Sequence, residues 1–168
     1  ALLVEAVERK KELNTETITT VYLGGGTPSL LSITQLSKLV NGLKKVFDFS
    51  DLEEFTIEVN PDDVTPECIQ QSKSLGINRV SMGVQSFSDE DLRFINRRHT
   101  AKQATDAIHI IKEAGIDNIS IDLIYGIPGQ NFEIWKNNVD TAILLSVQHI
   151  SAYTLMYEEG TRLSVMRS

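Results

Sequence analysis

The 168-residue chain predicts an α/β fold: a parallel βα repeat forming a partial, TIM-like (β/α) barrel of about five strands. Three observations point there. Short apolar runs rich in Val, Ile and Tyr alternate with longer stretches of helical period, the pattern of βα units around a parallel sheet. One unit also repeats: Lys73 to Met82 (KSLGINRVSM) and Lys112 to Ile121 (KEAGIDNISI) match in type at an offset of 112 − 73 = 39 residues, each reading as helix end, glycine cap, then strand. A closed barrel needs eight strands and about 250 residues, so five strands make an open sheet or an arc.

Taken in order, the chain opens on an amphipathic helical stretch, Ala1 to Asn14. No strand precedes it, so the first unit of the arc is expected upstream, where it would cover the first strand's edge. The predicted strands are Thr19–Leu23, Glu54–Val59, Arg79–Val84, Asn118–Tyr125 and His149–Leu155. Leu36, Leu39, Val40, Leu43, Val46 and Phe47 recur at helical spacing, as do Ala104, Ala107, Ile108, Ile111 and Ala114, giving each stretch one apolar stripe for the sheet. Ser32-x-x-Gln35, Ser88-x-x-Asp91 and Thr100-x-x-Gln103 resemble capping boxes, and Pro66 suits a first helical turn. No linker or low-complexity tract divides the chain, so one domain is expected.

Composition narrows the function classes. Sixteen basic and 23 acidic residues leave a net charge of −7, which disfavours nucleic acid or an anionic membrane surface as the main partner. No run approaches the roughly 18 apolar residues of a membrane span, and the start lacks a signal-peptide pattern. A cytoplasmic protein is expected. Cys68 is the sole cysteine, so the chain holds no internal disulfide and no thiolate set for zinc or an iron–sulfur cluster. Following Thr65-Pro66-Glu67, it reads as a structural thiol rather than a nucleophile.

Ligands of parallel α/β sheets bind at the carboxyl ends of the strands, which singles out the polar residues late in each run. These are the run Tyr22-Leu-Gly-Gly-Gly-Thr-Pro28 after the first strand, Glu58-Val-Asn-Pro61, Gln85, and Asp122. A carboxylate in an apolar run is costly to bury unpaired, which favours a bound partner, although a hydrogen-bonded structural group is the plainer alternative for each one singly. The triple glycine lets a ligand approach backbone groups, or serves a tight turn; its spacing fits neither a dinucleotide fingerprint nor a P-loop. Tyr125 to Gln130 forms a second glycine loop that could line the same rim or simply turn the chain. Arg97, Arg98 and His99 make a basic cluster, either a carboxylate clamp or a solvated surface. His109 and His149 read as structural.

In order, GGGTPS (Gly24–Ser29), IEVNP (Ile57–Pro61), GVQSF (Gly83–Phe87), IDLIYGIPGQ (Ile121–Gln130) and YTL (Tyr153–Leu155) resemble the radical S-adenosylmethionine (SAM) proteins related to oxygen-independent coproporphyrinogen III oxidase. The wording is closer to the haem-chaperone branch than to the oxidase. The resemblance implies that Gly25, Gly26 and Thr27 pack on the methionyl part of SAM, Glu58 addresses its amino end, Arg97 its carboxylate, Gln85 and Asp122 the ribose, and Met156 the adenine. It also implies a [4Fe–4S] cluster held by a CxxxCxxC segment that this sequence lacks. Residues 1–168 then read as a radical SAM core fragment, without the N-terminal cluster-binding segment and a C-terminal domain, and inactive alone.

For the whole protein the resemblance implies a tetrapyrrole or haem ligand and an electron donor or haem acceptor protein as partner. The oxidase alternative removes hydrogen and CO₂ from two propionates to leave vinyl groups. A third alternative, independent of the resemblance, is a phosphate- or sugar-binding βα barrel; the absence of Lys or Arg beside either glycine loop counts against it.

Overall fold

A computed structural model of the chain describes residues 1–13, 17–157 and 160. Strands β1 (Thr20–Leu23), β2 (Glu54–Val59), β3 (Arg79–Gln85), β4 (Asn118–Tyr125) and β5 (His149–Thr154) form one parallel sheet in the order β1-β2-β3-β4-β5. Spatial order equals chain order, as in a barrel wall laid down one unit at a time. The bounds of β2 and β4 match the sequence reading. β1 begins one residue later, β3 runs on to Gln85, and β5 stops at Thr154.

Among the described residues six α-helices accompany the strands: α1 (Leu2–Arg9), α2 (Ile33–Val46), α3 (Pro66–Ser74), α4 (Asp89–Phe94), α5 (Ala101–Glu113) and α6 (Phe132–Leu144). The expected amphipathic start becomes α1 and a turn of 3-10 helix, Lys10–Glu12; Asn14 lies outside the described residues. Ser32 with Gln35 and Thr100 with Gln103 form complete capping boxes, and Thr65 accepts from Cys68 N–H at 3.1 Å with Pro66 in the first turn. Ser88 caps α4, but Asp91 does not return the bond. Its carboxylate turns inward instead, because Ser86 and Gln130 offer it buried donors.

Alternation divides the strands into two faces. Phe55, Ile57 and Val59 of β2, Val80, Met82 and Val84 of β3, and Ile119, Ile121 and Leu123 of β4 are buried in a single core with Leu36, Val40, Ile69, Ala104, Ala107, Ile108, Ile111 and Ala142 from the helices. The alternate positions are polar: Thr56 and Glu58, Ser81 and Gln85, Ser120 and Asp122. A parallel sheet covered on both sides would read as unbroken hydrophobic runs. This one carries its apolar core on one side only.

At the N-terminal ends of the strands, a series of lysines links each unit to the next. Lys44 Nζ donates to Leu75 O (3.0 Å), Lys73 Nζ to Ala114 O (2.7 Å) and Lys112 Nζ to Ser146 O (3.1 Å). Each cation sits in the last turn of one sheet-packed helix and meets an orphan carbonyl at the end of the next such helix (α2 to α3, α3 to α5, α5 to α6), where the helix dipole is negative. This explains the repeated Lys-x-x-Gly. A Cβ at Gly115, which has φ +79°, would lie 2.5 Å from Lys73 Nζ. Amides reinforce the same end: Asn78 accepts from Phe55 N–H at 2.8 Å, and Gln148 from Ile119 N–H at 3.0 Å.

At the other end, a buried polar cluster binds the turns after β3 and β4. Asn138 of α6 accepts from Phe87 N–H (2.7 Å) and donates to Ser86 Oγ (3.0 Å). Ser86 donates to Asp91 (2.7 Å), and Gln130 Nε2 donates to the same Asp91 oxygen (2.8 Å). Ser86, Asp91 and Asn138 are buried, and among the described residues no buried side-chain nitrogen or oxygen lacks a partner.

Candidate functional site

Beyond the C-terminal ends of β1 to β4 lies a hollow of about 280 Å³, lined by Gly26, Thr27, Glu58, Val59, Asn60, Ser81, Gly83, Gln85, Arg97 and Asp122. Six of the eight residues singled out from the sequence therefore face one space: Gly26, Thr27, Glu58, Gln85, Arg97 and Asp122. Gly25 borders it through its N–H, which donates to Glu58 Oε2 at 2.9 Å. Met156, after β5, is not among the lining residues and is 70% exposed.

The three glycines have separate tasks. Gly25 (φ +83°) and Gly26 (φ +66°) adopt left-handed backbone, and a Cβ on either would meet nothing within 4 Å, so open space adjoins their backbone. Gly24 is different. A Cβ there would come within 2.3 Å of the Tyr22 ring and 2.9 Å of the Glu58 carboxyl, so its missing side chain makes room for two others. Sequence reasoning placed Tyr22 at the head of the glycine run but gave it no role; its hydroxyl donates to Glu58 Oε1 at 2.7 Å. The available signal was alternation, which puts Tyr22 on the same face of β1 as Thr20, with Gly24 the next same-parity position just past the strand end.

Gln85 also escaped the sequence, as a backbone feature. Met82 pairs with Ile121 but Gln85 with Leu123, so β3 carries an extra residue against β4, a bulge. The strand then ends in a three-residue turn with Gln85 at its apex (φ +69°), closed by Ser86 N–H to Val84 O at 2.9 Å. His99 Nε2–H donates to the same carbonyl at 3.0 Å. Gly83 leaves room for the Gln85 amide, which would lie 2.9 Å from a Cβ there. Left-handed backbone at a non-glycine residue is costly and persists where its surroundings hold it; here Ser86, His99 and Asn138 do so.

The basic cluster divides. His99 is buried, and burial lowers its pKa, more than its bond to Val84 raises it. Arg98 points away, 2.8 Å from Asp62 and 3.9 Å from Asp63, and Asp63 accepts from Ser29 at 2.8 Å, so three rim loops are joined. Arg97 lines the hollow. Loss of water around its guanidinium lowers its pKa even though the residue stays open to solvent, against the opposing pull of Asp62 and then Asp122. Half-buried Asp122 is pushed up from the ordinary aspartate value by desolvation first; Glu58 adds to this, and the Ser151 hydrogen bond and Arg97 oppose it. Cys68 stands apart in α3, its pKa raised by burial, as a structural thiol would be. The hollow thus offers carboxylates, a guanidinium, an amide and bare backbone, a set suited to a zwitterionic, hydroxylated small molecule.

Residues 2–142 match the radical SAM superfamily. The chain belongs to that family. Among curated relatives, the heme chaperone HemW of Lactococcus lactis is 40% identical over 161 residues, 96% of this chain and 42% of its own length. HemW of Bacillus subtilis is 41% identical over 143 residues, 84% of this chain and 38% of its own length. Coproporphyrinogen III oxidase (HemN) of Escherichia coli, described as a radical SAM enzyme, superposes with a TM-score of 0.84 at 30% identity, covering 94% of this chain and 36% of that structure. The chain therefore spans about two fifths of the length of these relatives.

Membership in the radical SAM family implies SAM and a [4Fe–4S] cluster. The hollow fits the first, with free space over Gly26 and opposed charges at Arg97 and Asp122. The cluster does not fit these 168 residues: one cysteine cannot supply its thiolates, and among the described residues no group of three or more His, Cys, Asp or Glu could hold a metal ion. Among the described residues no helix is long and apolar enough to cross a membrane.

Proposed function

We propose that this chain is the SAM-binding core of a haem-handling protein of the chaperone branch. The convergence of Glu58, Gln85, Arg97 and Asp122 on one hollow beside the glycine loop carries the reading. Arg97 takes the ligand's carboxylate, Glu58 its amino end, and Gln85 and Asp122 the ribose hydroxyls, while Gly25, Gly26 and Thr27 pack on the methionyl chain. Met156 would approach the adenine from beyond β5. Bound SAM supplies a sulfonium centre whose carbon–sulfur bond can be cleaved reductively. Arg97, already partly stripped of water, loses little further hydration when a carboxylate arrives. Asp122 gains hydroxyl donors that favour its charged form and offset its desolvation.

The haem ligand is proposed from the names of the relatives at about 40% identity, and with it a haem acceptor or electron donor protein. The oxidase reading rests on the structural neighbour at 30% identity. Calorimetry on the full-length protein tests the site: Arg97→Ala and Glu58→Ala should each weaken SAM binding by about thirtyfold or more, the scale of a lost charge-assisted contact. Unchanged affinity in both would refute the assignments. Stoichiometric haem retention without turnover identifies the chaperone; decarboxylation of a porphyrinogen under reducing conditions identifies the oxidase.

A further inference from the structure

We propose that Tyr22 is a positioning residue that fixes the Glu58 carboxylate for the amino end of the ligand; the inference rests on the SAM reading above. Both oxygens of Glu58 are held, Oε1 by the Tyr22 hydroxyl at 2.7 Å and Oε2 by Gly25 N–H at 2.9 Å. An ionised carboxylate has about four acceptor positions, so these two donors fix its plane and leave the remaining lone pairs for a ligand. Glu58 would otherwise have rotatable side-chain bonds and only one loop N–H to orient it.

The arrangement is built from strand geometry. Tyr22 is in register with Thr56, two residues before Glu58 on the same face of β2, so the ring leans along the sheet to reach it. Gly24 leaves the space in which ring and carboxyl meet. Partial desolvation of the hydroxyl, and after it the bond to Glu58, raise the phenol's pKa, so the hydroxyl keeps the proton it donates. Tyr22 stands on the edge strand and is 54% exposed, so its interaction with Glu58 is more than a packing contact of the core.

The test is a comparison of two ligands on the full-length protein with its cluster assembled. One is SAM; the other is its deaminated analogue, in which hydrogen replaces the α-amino group. Tyr22→Phe keeps the ring and removes only the donor, and should weaken SAM by about tenfold, the scale of one hydrogen bond to a charged group, while binding of the analogue stays unchanged. Gly24→Ala should give the same selective loss, because the added Cβ drives Tyr22 and Glu58 apart and the residue's φ does not require glycine. Equal losses for both ligands, or full SAM affinity in both variants, would overturn the proposal. Wild-type protein that fails to bind SAM would overturn the underlying reading, and that result is independent of either variant.

Discussion

At the N-terminal ends of the strands Lys44, Lys73 and Lys112 each meet a helix carbonyl, and Asn78 and Gln148 satisfy strand amides. At the C-terminal ends Arg97 and Asp122 face a hollow, Gln85 holds left-handed backbone, and Asp122 is desolvated by the fold. One end spends its polar groups on the chain itself. The other keeps them oriented toward a space, at a cost in stability, as binding sites commonly do. The buried cluster of Ser86, Asp91, Gln130 and Asn138 stands between them: internally satisfied, yet directly beneath the Gln85 turn.

Three substitutions probe this contrast. The largest effect is expected for Asn138→Ala, which leaves Phe87 N–H without its acceptor in a dry interior and takes one donor from Ser86 Oγ, and should cost about 2–4 kcal/mol in denaturant unfolding. SAM affinity should fall with it, since the Gln85 turn loses its support; intact affinity would show that wall and site are independent.

A smaller effect of opposite sign is expected for Asp122→Asn. The fold raises the pKa of Asp122 above the ordinary 3.8, so the native state holds its proton more tightly than the unfolded chain. The ionised residue therefore destabilises the protein above its folded-state pKa, and this penalty disappears below 3.8, where both states are protonated. Asp122→Asn should melt higher than wild type at neutral pH, converge with it in acid, and bind SAM more weakly. A variant less stable at neutral pH would mean that Asp122 serves the fold.

The smallest effect is expected at the opposite end. Lys73→Met removes one partly solvated bond to Ala114 O and should lower stability by about 0.5–1 kcal/mol with SAM affinity unchanged, measured by urea denaturation and calorimetry. A change in affinity there would dissolve the distinction between the two ends.

Much of the wall could be read from the chain. β2 carries Phe55, Ile57 and Val59 and β4 Ile119, Ile121 and Leu123 at alternate positions, and their limits coincide with the predicted ones, because strand period and flanking turn residues agree there. Glu58, Gln85 and Asp122 could be placed on one rim because the strands of a parallel sheet all end on the same side and these residues stand late in their runs. The role of Tyr22 could not be read, since its partner lies 36 residues away and only register brings them together. Asn138 was hidden for the same reason, 52 residues from Ser86 within an otherwise ordinary helix. His99 was grouped with two arginines by adjacency, whereas the fold buries it beneath the turn that it holds.

The two-faced strands have a consequence for how such a protein can change. Side chains pointing toward the helices answer to apolar packing, whereas those on the other face, buried as Thr56, Ser81 and Ser120 are, answer to polar neighbours and to the hollow they border. A mutation at Ser81, Ser120 or Ser151 can therefore alter chemistry while the helix-side positions go on specifying the same scaffold. Heredity can edit the two sets of positions almost as if they belonged to different molecules.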